Sequence, residues 1–77
     1  MEIENKIKEI IAQICETSAY NISNTTSIGD FPQWDSMGHL AILSEVGEHF
    51  NVIFEPEELS ELEDVNDIIN AVKEKIG

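Results

Sequence analysis

The chain has 77 residues, 42% of them apolar, and sixteen Asp and Glu against four Lys, for a net charge of −12. That length allows a single domain, residues 1–77, with one modest core. The charge excludes nucleic acid and an anionic membrane surface as partners, because both are held by Lys and Arg, and it favours basic protein surfaces instead.

The four lysines, Lys6, Lys8, Lys73 and Lys75, all lie near the two ends, and between Glu9 and Val72 thirteen acids face no base at all. A purely solubilising role for these acids stands beside the partner-steering one. A lone Cys15 excludes an internal disulfide and fits a reducing compartment. Glu2, Glu4, Lys6 and Lys8 interrupt any leading apolar run, so no signal peptide is read there. No stretch reaches the length of a membrane span, and a cytoplasmic location is expected.

Ile3, Ile7, Ile10, Ile11 and Ile14 recur on one helical face, which predicts a first helix to about residue 16. Cys15, on the edge of that stripe, reads as a small core residue. Thr17 to Trp34 is rich in Ser, Thr, Asn, Gly and Pro and reads as a long loop. Loops of that length in small domains are functional or pinned, and Ile22, Ile28, Phe31 and Trp34 are the expected pins.

A second helix is expected from Asp35 or Ser36 to about Phe50, with Asp35 as a good N-cap. Its apolar stripe is Ile42, Leu43, Val46 and Phe50, with Leu40 at the margin. The opposite arc, Met37, Ala41, Ser44, Glu45 and Glu48, is short-chained and acidic. Val52-Ile53-Phe54 is an apolar connector with no second strand to pair with. Pro56 opens a short helix with Leu59 and Leu62 as its buried side. Asp64 caps a last helix whose stripe is Val65, Ile68, Ile69, Val72 and Ile76. The fold expected is all-α, with three main helices, one short helix and a long first loop.

Chemistry centres on Asp35-Ser36-Met37-Gly38. A nucleophilic serine needs a base and an oxyanion hole. His39 is one turn from Ser36, yet the helical wheel sets it near the apolar stripe, which favours a structural histidine. His49 projects away, and no Gly-x-Ser-x-Gly elbow is present. The acidic run from Glu55 to Asp67 has no glycine and lacks the spacing of a calcium loop, and the two His and one Cys are too scattered for zinc. On local grounds Ser36 reads first as a capping residue of the helix start and only second as a hydroxyl placed for modification, since a helix N-terminus favours an attached anion.

The segment Trp34-Asp35-Ser36-Met37-Gly38-His39-Leu40 resembles the phosphopantetheine attachment motif of acyl and peptidyl carrier proteins, Asp-Ser followed by Leu or Met at the start of the second helix. The resemblance extends over essentially the whole chain: length, acidity, long first loop, Phe50 closing helix two, the Glu55-Pro56-Glu57-Glu58 start of helix three and the Val65 start of the last helix. It implies a four-helix carrier-protein bundle with no catalysis of its own. Ser36 would bear a 4′-phosphopantetheine arm, transferred from coenzyme A by a phosphopantetheinyl transferase, with acyl groups riding as thioesters on the arm's thiol. Asp35 would engage that transferase and its metal. Met37, Ala41, Glu45 and Glu48 would form the docking face for a loading ligase and for acyltransferases or synthases with basic surfaces.

Two departures from the family pattern stand out. Gln33 occupies the usual glycine position two residues before the aspartate. Gly38, His39 and Ala41 replace the acids often found in the first turns of helix two. Free-standing carriers of this kind resemble those of dedicated pathways, for secondary metabolites, modified sugars or cell-surface polymers, with fatty acid synthesis as a further setting. A monomer is expected. An aminoacyl or peptidyl carrier is the main alternative, and an unmodified acidic interaction module a remote one.

Overall fold

A computed structural model of the chain describes residues 2–77. Four α-helices follow in order: α1 (Glu2–Cys15), α2 (Ser36–Phe50), α3 (Pro56–Glu61) and α4 (Val65–Ile76). A short 3-10 turn, Ala19–Asn21, interrupts the long first loop and was not legible in the sequence. The all-α fold is therefore as expected, and Val52-Ile53-Phe54 is a connector without regular secondary structure rather than a strand.

The isoleucine stripe of α1 packs against α2 and α4. Ile7, Ile11, Ile42, Val46, Val65, Ile68, Ile69 and Val72 are sealed from solvent. Cys15 joins this core as a buried residue, and burial pushes its thiol pKa up, because the thiolate would lose its hydration there. The stripe of α4 stops short of its last member, since Ile76 is 52% exposed. Phe50, Leu59 and Leu62 pack on the rim of the core, half-buried.

Both long helices before α3 end in left-handed residues that are not glycine. Glu16 (φ 58°) closes α1, with Thr17 N–H donating to the Ala12 carbonyl and Glu16 N–H to that of Gln13. Asn51 (φ 57°) closes α2, with Val52 N–H donating back to Gly47. This pairing recovers carbonyls that a helix C-terminus leaves free. Asparagine tolerates the conformation, whereas glutamate carries a modest strain.

The long loop is pinned as expected, and by more than side chains. Ile22 and Trp34 are buried, and Ile28 and Phe31 pack against the core. In addition, Ile28 N–H donates to the Glu63 carbonyl, and the amides of Val65 and Asn66 donate to Thr26 and Asn24, each at 2.9 Å. Ser27 and Asp64 form an isolated antiparallel bridge. The loop thus lies along the start of α4. Three lysines pair with acids: Lys73 with Glu4 across α1 and α4, Lys75 with Glu58 of α3, and Lys6 with Glu9 within α1. Among the described residues no helix is long and apolar enough to cross a membrane.

Candidate functional site

The start of α2 is set by two buried side chains that flank three exposed ones. Trp34 has no solvent exposure and His39 only 4%. The Trp34 indole Nε1–H donates to His39 Nδ1 at 3.0 Å, and the rings lie roughly parallel, 23° apart. Backbone bonds from Gly29 N–H to the Trp34 carbonyl and from Trp34 N–H to the Phe31 carbonyl hold the loop end in the same place. Between these anchors Asp35, Ser36 and Met37 all face solvent, Met37 at 80% exposure.

Asp35 is the N-cap. Its carboxylate accepts from Gly38 N–H at 2.9 Å, and its carbonyl accepts from His39 N–H at 2.8 Å. Ser36 is then the first helical residue, and its hydroxyl plays no part in the cap. The amides of Ser36 and Met37 have no acceptor among the described residues. A phosphate ester on Ser36 fits this arrangement: an exposed hydroxyl, two free N–H groups and the positive end of a 15-residue helix lie together. Gly38 makes the tight turn possible, because a Cβ there would overlap the Gln33 carbonyl oxygen.

The remaining sequence-predicted positions are all on the surface of α2. Ala41, Glu45 and Glu48 are exposed. Ala41 and Glu45 border a shallow groove against Ile10, Gln13 and Ile14 of α1, while Glu48 also borders the side that faces α3. Leu40, placed at the stripe margin from the sequence, is 53% exposed and extends the apolar surface next to Met37. Ile53, in the connector, is exposed and lines a groove with Leu40, a position for which periodicity gives no signal because the segment is not a helix.

A cleft of about 420 Å³ opens beside Ser36. Ile28, Leu40, Pro56 and Leu59 give it apolar walls, and Ser36, His39 and Ser60 are its polar members. The state of His39 here follows from its partner. An indole N–H can only donate, so Nδ1 is the acceptor and the ring proton sits on Nε2. No hydrogen-bond partner reaches that buried Nε2. Among the described residues no group of three His, Cys, Asp or Glu is placed to hold a metal ion. No protein-family model matches the chain.

Proposed function

We propose that the protein is an acyl carrier whose Ser36 hydroxyl bears a 4′-phosphopantetheine arm. The observation that carries this reading is the exposed Ser36 hydroxyl at a helix start capped by Asp35 rather than by the serine itself. When bound, the arm supplies a terminal thiol on which acyl groups travel as thioesters. In the attachment step Ser36 Oγ forms the new bond to phosphorus, the pyrophosphate link of coenzyme A breaks, and adenosine bisphosphate departs with the electron pair. The serine proton goes to a base of the separate transferase.

The residues of this chain position and accompany that ester. The free amides of Ser36 and Met37 and the helix dipole favour the phosphate charge, by about 0.3–1 kcal/mol at such an exposed site. Trp34 and His39 hold the turn so that Ser36 stays outside the core. Asp35, beside it, is exposed and able to meet the transferase and its metal. A nucleophilic, hydrolytic role for Ser36 loses support from the same geometry. With Nδ1 engaged by Trp34 and the proton on Nε2, His39 is arranged as a donor and not as a base for Ser36.

Met37, Leu40, Ala41, Glu45 and Glu48 offer apolar contact within an acidic surface, which suits basic docking faces of a loading ligase, acyltransferases or synthases. Incubation with coenzyme A and a broad-specificity transferase is expected to add one phosphopantetheine to the intact mass, and Ser36→Ala to abolish the gain. Absence of any gain with several transferases overturns the reading. Reversal of Glu45 and Glu48 to Lys is expected to slow partner loading and reduce its salt dependence, with helix content unchanged by circular dichroism.

A further inference from the structure

We infer that Lys75, in the last turn of α4, is a clasp that holds α3 against the body of the fold, so that α3 opens locally once this one ammonium is lost. The inference is independent of the carrier reading above. It starts from how little else secures α3. The helix has six residues, too few to be stable alone, and none of them is buried. Leu59, and Leu62 just beyond the helix, pack on the core only as half-buried side chains. The hydrogen bonds at the two ends of α3 stay within residues 55–62. Glu58 N–H donates to the Glu55 carbonyl, Glu55 N–H to the Glu58 carboxylate, Leu62 N–H to the Glu58 carbonyl and the Ser60 hydroxyl to the Glu57 carbonyl. Among the described residues a single hydrogen bond leaves this segment, from Lys75 Nζ to Glu58 Oε1 at 2.9 Å.

That contact is built from more than one side. The Glu58 carboxylate that receives Lys75 is also half of the α3 capping box, where it accepts the Glu55 amide at 2.6 Å. Lys75 Nζ lies over the Phe54 ring as well, 5.5 Å from its centroid. Phe54 packs against the core from the connector that leads into α3. The Lys75 and Glu58 side chains are 24% and 20% exposed, so water reaches the pair only in part. No Cα of α3 comes within 8 Å of one in α4, and the lysine side chain spans that gap. Charge points the same way. Glu55, Glu57, Glu58 and Glu61 are four acids on one short segment, and among the described residues Lys75 is the only base paired with any of them. Without it, their repulsion from the rest of an acidic protein goes unopposed. Pro56 and Leu59 wall both the cleft beside Ser36 and the groove lined by Leu40 and Ile53. The clasp therefore decides whether either wall stands.

The test is native-state hydrogen exchange of the full chain in dilute urea, followed amide by amide. In the wild type, the amides of Glu61 and Leu62 are expected to exchange faster than those of Ile10 and Ile11 in α1. Their rates are expected to depend little on urea, because a local opening exposes little surface. Lys75→Met keeps most of the aliphatic stem and removes the charge. It is expected to speed exchange at Glu61 and Leu62 by about 3- to 30-fold, the combined worth of one partly covered ion pair and one cation–π contact. Lys75→Arg, which keeps the charge and stacks on aromatic rings, is expected to stay near the wild-type rates. Added to Glu58→Gln, Lys75→Met is expected to speed exchange less than it does alone, as coupled partners do. Exchange of α3 at the same rate and urea slope as α1 overturns the inference, since α3 would then open only with the whole fold. Unchanged α3 rates in Lys75→Met, or an arginine variant as fast as the methionine one, also overturn it. Gain or absence of the arm on Ser36, read by intact mass, bears on the carrier reading alone.

Discussion

Asp35 and Asp64 cap α2 and α4 in the same way, each accepting from the amide three residues on, at 2.9 and 2.8 Å. The two helix starts then diverge. At α4 the first residue, Val65, is fully buried, and the amides of Val65 and Asn66 are taken by the Thr26 and Asn24 carbonyls of the long loop. Asp67 also reaches back to the Glu63 amide. At α2 the first residue is an exposed serine, and the corresponding amides of Ser36 and Met37 are free. One start is closed by the chain's own carbonyls and serves the fold. The other is left open at the surface, where an anion is favoured. A capping aspartate by itself therefore says little about function. What separates the two is whether another segment crosses the helix end.

The sharpest break in the comparison is Ser36→Ala. It is expected to remove arm attachment completely while changing stability by no more than about 0.5 kcal/mol, because the side chain is exposed and outside the cap. Intact mass and urea denaturation read the two halves, and a large loss of stability would show that the α2 start is structural in the way the α4 start is. Gly38→Ala comes next. The added methyl group meets the Gln33 carbonyl, so a loss of about 1–3 kcal/mol in urea denaturation is expected, with attachment impaired through displacement of the turn.

Asp35→Ala and Asp64→Ala form a matched pair of smaller effect. Each is expected to cost about 1 kcal/mol of stability as a lost N-cap. Only Asp35→Ala is expected to slow phosphopantetheinyl transfer. Equal transfer rates in the two variants would remove the functional distinction between the starts.

The start of α3 supplies the smallest test. Glu58 accepts from the Glu55 amide at 2.6 Å and from Lys75 at 2.9 Å, which together hold its carboxyl below the ordinary value of 4.5. A depressed folded pKa means the contribution is present above the unfolded value and is lost as pH falls through the folded one. Glu58→Gln is therefore expected to lower stability at neutral pH by about 0.2–1 kcal/mol, a range typical of partly exposed pairs, and by nothing once both forms are protonated. A gap that stays constant into strong acid would assign the effect to packing instead.

Much of the fold was legible because helices repeat their buried face every three to four residues. The stripes of α1, α2 and α4, the caps Asp35 and Asp64, and Pro56 at the first position of α3 all follow from local pattern. The burial of His39 was legible for the same reason. Its pairing with Trp34 was not, because that bond joins a loop residue to a helix and leaves no periodic trace. The 3-10 turn at Ala19–Asn21 and the exposure of Ile53 also lie in segments without a repeat.

The candidate site divides along the same line. The sequence by itself determined an all-α chain, an acidic middle, and a serine just inside an aspartate-capped helix, since composition, periodicity and capping act over a few neighbouring residues. Only the tertiary structure decided that this helix start is open while that of α4 is closed, and that the buried Trp34 indole pairs with His39 beneath it. Those outcomes depend on carbonyls and side chains that meet across loops, and chain closure of that kind is set by the packing of the whole core rather than by any local run of residues.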